Sequence, residues 1–331
     1  MRRGLALALG LLLGVSFVVG VIALTPPTDD YSLQNPYWNG MSQMAKSYGV
    51  TPVGNLTVLS DQPELTRGEA LLVIGPTTSY TQEQTGAVSG FVRSGGLLVV
   101  ADDFGSGNQL LQMMGMGSRF DGRLLVDPLY NIKVQQLPII TDVNLSSVAS
   151  IAFDYPTFLD VSDPQSSILA SSSPYSYVDV NGTGEFEQGD LVGPLPVMAS
   201  IRVGTGSVVL ISDSSLYLNG MIAQLGNNAS LSAIIGSREP LLDAGHWSEG
   251  TLTMARAALT AVYQQADRLD IRYAIVVGAV SSIFLVKVKP REEPEEGDDM
   301  EAVMNEHPDW DKEELKKLIE ERRRYAASRS R

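Results

Sequence analysis

The chain has 331 residues, no cysteine, and 24 Lys/Arg against 38 Asp/Glu, for a net charge of −14. Without cysteine it can form no disulfide, no thiolate metal site and no cysteine nucleophile. The acidic balance argues against a nucleic-acid partner, because neutralising phosphates takes a basic face.

In chain order, Leu5 to Leu24 is an uncharged apolar run of 20 residues. At about 1.5 Å per residue such a helix is about 30 Å long, the thickness of a bilayer's hydrocarbon core. Arg2 and Arg3 precede it, which the positive-inside rule places in the cytoplasm. The pattern predicts a transmembrane anchor over 1–24, with a cleaved secretory signal as the alternative; either one exports the domain C-terminal to it. Residues 25–36, rich in Pro and Asp, read as a linker.

Residues 37–270 read as one α/β domain outside the cytoplasm. Its 24 Asp/Glu and 10 Lys/Arg are counted over 25–270, which therefore holds a charge of −14 by itself. Tyr37 to Tyr48 reads as a helix ended by Gly49, and Leu56 to Leu59 as a short strand. Ala70 to Ile74 (ALLVI) and Leu97 to Ala101 (LLVVA) are continuous apolar runs, the mark of strands buried on both faces. Between them Thr81 to Arg93 reads as a helix, with Thr81 and Gln84 spaced as a capping box. Gln109 to Met114 reads as another helix. Residues 131–196 form a β-rich excursion, after which Val197 to Val203 and Val208 to Ser212 read as a hairpin around Gly204. Leu216 to Leu225, Leu231 to Ile235 and Thr251 to Leu269 read as helices.

Tyr273 to Val286 is uncharged and is followed by Lys287, Lys289 and Arg291. This predicts a second transmembrane helix over 271–288 and a charged cytoplasmic tail over 289–331, with Asp311 to Arg324 helical. Both termini would then be cytoplasmic and the main domain outside the cell membrane. Sequons at Asn55, Asn144, Asn181 and Asn228 all fall in the outside segment.

Two groups of residues could carry chemistry. In a parallel sheet, ligands bind beyond the carboxyl ends of the strands. Thr77, Asp102, Asp103, Asp213 and Ser214 sit at such ends and are the candidate ligand-binding residues. Residues 179–190 have the spacing of a calcium loop, with oxygens at positions 1, 3, 5, 7, 9 and 12 and glycine at 6. The ligands would be Asp179, Asn181, Thr183, Glu185, Glu187 and Asp190, with Gly184 at the turn and Ca2+ as a structural ion. The alternative is an acidic Asn-Gly turn. His246 is the histidine a Ser-His-Asp triad would have to use, but no G-x-S-x-G elbow is present.

Several pieces look familiar together: Asn35-Pro36-Tyr37-Trp38-Asn39-Gly40, then Phe91-Val92-Arg93-Ser94-Gly95-Gly96-Leu97-Leu98-Val99-Val100-Ala101-Asp102-Asp103, and Gly193-Pro194-Leu195-Pro196-Val197 with Val208 to Ser215. The chain resembles an uncharacterised family of archaeal and bacterial membrane-anchored proteins with a class I glutamine-amidotransferase-like domain. The resemblance implies a flavodoxin-like parallel sheet and a place among other membrane proteins of one complex. It implies no glutaminase activity, which needs the cysteine this chain lacks. The expected function is non-catalytic binding of a ligand, glycan or protein partner; the alternative is an exported hydrolase using the Asp, Ser and His at the strand ends.

Overall fold

The computed structural model describes residues 2–60, 68–248, 250–268, 271–274, 277 and 305–329. These fall into two units, 1–262 and 263–331. The elements in order are α1 (Arg2–Leu24), α2 (Ser42–Tyr48), β1 (Thr51–Val53), β2 (Glu69–Ile74), α3 (Gln82–Arg93), β3 (Leu97–Ala101), α4 (Gly107–Met113), β4 (Arg119–Phe120), β5 (Leu124–Val126), β6 (Ile139–Ile140), β7 (Asp142–Val143), β8 (Ile151–Ala152), β9 (Leu159–Asp160), β10 (Ser166–Ser171), β11 (Tyr177–Asp179), β12 (Pro196–Val203), β13 (Gly206–Ile211), α5 (Asn227–Ile235), β14 (Glu239–Asp243) and α6 (Thr251–Ala266). In the second unit α7 (Lys312–Arg329) is started by Asp311, whose carboxylate accepts the Glu313 N–H at 2.9 Å.

One eight-stranded sheet orders the first unit as β1-β14-β2-β3-β13-β12-β10-β7. The first five strands are mutually parallel, and β12, β10 and β7 run antiparallel to their neighbours. Alternation along the central strands divides two cores. Leu72, Ile74, Val99 and Ile211 face Met41, Met44 and Tyr217 on one side. Leu71, Val73, Val100 and Leu210 face Val88, Phe91 and Leu110 on the other. Both faces are dry, which is why these strands read as unbroken apolar runs. The capping box of α3 is present, Thr81 and Gln84 exchanging side-chain-to-backbone bonds.

The expected flavodoxin-like parallel sheet with a β-rich insertion, flanked by two membrane helices, does not hold. The sheet is mixed, and the 131–196 excursion supplies two of its strands, β7 and β10. Among the described residues no helix is long and apolar enough to cross a membrane. The expected second span, 271–288, lies for the most part outside the described residues. The localisation expected from two spans, with both termini cytoplasmic, loses its basis with them.

Smaller differences have local causes. Residues Leu56–Ser60 form a 3-10 helix rather than a strand, because the Asn55 side chain accepts the Thr57 N–H at 3.1 Å and turns the chain. The expected helix over 216–225 is instead a string of turns around Asn219-Gly220.

Asn219 leaves that string to gather the chain's start. Its amide donates to the carbonyls of Asn35 (3.0 Å) and Tyr37 (2.7 Å), and its oxygen accepts the Gln43 N–H at 2.9 Å, at the start of α2. Asn35, fully buried, donates to the Asp29 carbonyl at 2.8 Å and accepts the Tyr37 N–H at 2.8 Å. Gly40 must be glycine, because a Cβ there would lie 2.1 Å from the Asn35 carbonyl oxygen. The 35–40 turn is thus closed by its own polar groups. Removing the Asn219 amide orphans buried carbonyls, so Asn219→Ala should cost about 1–3 kcal/mol in denaturant unfolding of the intact chain.

Candidate functional site

The strands β14, β2, β3 and β13 are neighbours, and their carboxyl ends lie along one edge of the sheet. The residues that follow each strand therefore meet there. After β3, Asp102 is buried and its carboxylate is fully engaged. Oδ1 accepts the N–H groups of Asp103 (2.9 Å) and Gly105 (3.0 Å), and Oδ2 accepts that of Gly107 (2.7 Å), the first residue of α4. Burial pushes its pKa up to about 6 against the pull of the Gly107 bond, and the Asp103 charge adds to the rise. Asp102 closes the loop into α4 and presents nothing to a ligand.

Asp103 points the other way. Its Oδ2 accepts the Ser214 hydroxyl at 2.9 Å, and Ser214 Oγ lies 2.8 Å from the Tyr31 hydroxyl. Ser214 has one proton, committed to Asp103, so Tyr31 is the donor to Ser214. Asp213 is fully buried; its oxygens accept the backbone N–H groups of Asp154 and Ser215, both at 2.7 Å. Burial raises Asp103 and Asp154, and raises Asp213 well above the usual carboxylate range, with the charges of Asp103 and Asp154 contributing. The Tyr31 ring lies against Gly75, whose φ of 54° and crowded Cβ position both call for glycine.

After β14 comes a second constellation. His246, buried, places Nδ1 2.7 Å from Asp243 Oδ2, stacks on Tyr80 with centroids 3.9 Å apart, and sets Nε2 3.3 Å from Gln84 Oε1. Its carbonyl accepts the Thr77 N–H at 2.8 Å, and Trp247 Nε1 donates to the Ile74 carbonyl at 2.7 Å. Thr77 and Ser248 share a hydroxyl contact of 3.0 Å. Between this loop and the chain's start lies an open cleft of about 330 Å³, lined among others by Asp29, Asp30, Tyr31, Thr77, Trp247 and Ser248.

Of the residues expected to bind ligand, Asp103 and Ser214 are bonded to each other and Asp213 follows the same strand end. Thr77 lines the cleft; Asp102 is a loop brace. Tyr31, Asp154, Trp247 and the Asp243–His246 pair were not among the expected ligand-binding residues. Asp243 ends a strand, β14, whose Glu239-Pro240-Leu241-Leu242-Asp243 has only a short apolar pair and a proline to announce it.

In the 179–190 loop, the two oxygens of Asp179 accept the N–H groups of Thr183 and Gly184, each at 3.0 Å. Gly184 takes φ 73°, as the sixth position of a calcium loop requires. Asn181 donates to Glu187 at 2.9 Å, and Asp190 accepts the Glu187 N–H at 2.8 Å. Glu185 and Thr183 meet through backbone and hydroxyl at 3.3 Å. Among the described residues no three His, Asp or Glu side chains converge as a metal site would need.

The sequence profile of a domain of unknown function, DUF4350, matches residues 34–235. The chain belongs to the DUF4350 family. No curated protein matches it. Among solved structures, the DUF4350 chain is 13% identical to the mmIFT52 N-terminal domain, covering 59% of this chain and 88% of that one at a TM-score of 0.44. It is 14% identical to a beta-galactosidase from Bacillus circulans sp. alkalophilus (49% and 23% covered, TM-score 0.27) and 16% identical to the exo-beta-1,4-mannosidase Op5Man5 from Opitutaceae bacterium strain TAV5 (44% and 20% covered, TM-score 0.26). The DUF4350 chain thus spans less than a quarter of either glycosidase, and similarity this low carries no argument about activity.

Two measurements test the site's electrostatics and the loop. A carboxylate raised in the folded state stabilises the fold at pH below its unfolded value, and that stability is lost as pH rises through its folded value. Asp102, raised from 3.8 to about 6, contributes about 3 kcal/mol of this sign. Unfolding free energy should therefore rise as pH is lowered from about 7 toward about 5, and Asp102→Ala should flatten that rise. In the loop, Asp179→Ala strips two backbone N–H groups of their acceptor and should cost about 1–2 kcal/mol in a thermal melt. A wild-type midpoint raised by calcium and lowered by chelator, with neither effect in Asp179→Ala, is what a calcium-held loop requires.

Proposed function

We propose that this domain is a non-catalytic binding module whose ligand, a glycan, sits in the cleft between the chain's start and the loop after β14. The observation that supports this reading is that His246, Ser214 and Asp102, the groups a hydrolase would use, are engaged with other partners beside an open cleft. His246 turns its two nitrogens to Asp243 and Gln84, and no serine hydroxyl touches its ring among the described residues. A hydrolase needs its base within hydrogen-bond reach of the proton it takes. Ser214 is spent between Tyr31 and Asp103, and Asp102 between three amides.

The cleft offers a different set of groups. Tyr31 and Trp247 lie stacked at 6.2 Å, and Asp29, Asp30, Thr77 and Ser248 surround them with acceptors and hydroxyls. Apolar ring surface with a rim of carboxylate and hydroxyl suits a polyhydroxylated ligand, while the acidic lining and net charge of −14 disfavour an anion.

The test is saturation-transfer NMR on the intact chain with a panel of neutral oligosaccharides, for wild type and Thr77→Arg. Thr77 is exposed at the cleft, so the arginine blocks it without entering the core. Binding by wild type with at least about tenfold loss in the variant, and no cleavage of the bound sugar, is expected. Cleavage would restore the hydrolase reading, and binding untouched by Thr77→Arg would move the site elsewhere.

A further inference from the structure

Both ring nitrogens of buried His246 face oxygen. Nδ1 lies 2.8 and 2.7 Å from the two carboxylate oxygens of Asp243, and Nε2 lies 3.3 Å from Gln84 Oε1. Which end of the Gln84 amide meets the ring is fixed from the other side. The same Oε1 accepts the backbone N–H of Thr81 at 2.9 Å, one half of the capping box that starts α3. Turning the amide over would set its NH2 against that N–H and undo the box. Gln84 therefore offers the ring only an acceptor. Asp243 does the same, since its carboxylate also takes the Tyr80 hydroxyl and the Gly245 N–H, each at 3.1 Å. A neutral imidazole has one N–H and one lone pair. Here that lone pair would face an oxygen, whichever nitrogen carried it.

We infer that His246 is held as an imidazolium, protonated on both nitrogens, and that its charge latches the loops 75–80 and 244–248 together in a pH-sensitive way. The latch has reach. The ring stacks on Tyr80, and the His246 carbonyl accepts the N–H groups of Thr77 (2.8 Å) and Thr78 (3.2 Å). The next residues, Trp247 and Ser248, line the cleft. Loss of the ring proton sets lone pair against lone pair at Gln84 or at Asp243 and loosens both loops at once.

The groups facing the ring are consistent in sign. Asp243 faces it from the end of β14 and Tyr80 from the loop before α3, while α3 itself presents the uncharged Gln84. The Asp102 charge, at the end of β3, acts on Tyr80 together with that of Asp243. That the latch gates ligand entry rests on the cleft-binding reading; the protonation state of His246 does not.

The test uses the intact chain, which has two histidines, His246 and His307. Selective 15N labelling of histidine, with His307→Gln to assign the signals, reads the protonation of each ring nitrogen. At about pH 7 both nitrogens of His246 should be protonated, and their loss on raising the pH should coincide with faster hydrogen exchange at Thr77 and Thr78. A neutral single-proton ring at that pH, or deprotonation that leaves those two amides unchanged, overturns the proposal. Gln84→Glu, which keeps the acceptor and adds charge, should move the transition up by about one pH unit, and Gln84→Met should move it down. If both variants leave it in place, the Gln84 contact is packing alone and the latch is wrong. Sugar binding measured on the same samples tests the gating separately.

Discussion

Parallel strands buried on both faces carry several of the polar groups at their ends, Asp102, Asp213, Ser214, Asp243 and His246, out of reach of water. The carboxylates and the imidazole buried past the ends of β3, β13 and β14 have to find partners within the protein, because an unpaired buried group costs about 1–3 kcal/mol, whereas the buried Ser212 hydroxyl beside them has none among the described residues. The site has the form this constraint imposes. Asp102 braces the loop into α4 with three amides, and Asp213 accepts amides from the excursion and from its own turn. Ser214 mediates between Asp103 and a tyrosine brought from the start of the chain. The raised carboxyl groups are the electrostatic cost of the same arrangement, since burial rather than charge pairing dominates each rise.

How much of this could be read in advance depended on the range of the interaction that decides each element. ALLVI and LLVVA could be read because their burial is written into five consecutive residues, and α3 because its cap is four residues long. The hairpin β12–β13 was legible for the same reason. The strand β14 was not: Pro240 argues against a strand, and what holds this one is its parallel register with Ala70 and Leu71 of β2, some 170 residues away in the chain. The mixed character of the sheet was hidden for a related reason. β7 and β10 enter it from a polar, serine-rich stretch in which no residue announces a buried face except Ala170.

The strand-end acids were legible as positions but not as roles. Position follows from where an apolar run stops, which Ala101 and Ile211 show directly. Role depends on which atoms arrive from elsewhere. Asp102 and Asp103 are adjacent and chemically identical, yet one is consumed by the loop's own amides while the other meets Ser214 from 111 residues away. Tyr31 could not have been placed there at all from a stretch that reads as linker.

That stretch is the more telling case, because the cleft exists only through it. Its walls come from residues 28–31 on one side and from Trp247, Ser248 and Gly250 with Thr77 on the other, neither of which encloses anything by itself. Three sets of bonds hold the early wall in place. Asn219 gathers the 35–40 turn, Thr253 of α6 donates to Asp29, and Arg256 donates to the carbonyls of Ile22 (2.9 Å) and Thr25, at the end of α1. An arginine at a helix's carboxyl end satisfies carbonyls that have no helical partner, and its charge opposes the negative end of the dipole. The late wall hangs on His246 and on the Trp247 bond to Ile74, the last residue of β2. The late wall is tied by polar bonds to the ends of β14 and β2, and the early wall by Tyr31 to Ser214 past the end of β13, while the Tyr31 and Trp247 rings also pack on the apolar core. Such bonds are individually worth about 1 kcal/mol and are sensitive to protonation. A cleft built in this way is a more responsive structure than the sheet beneath it.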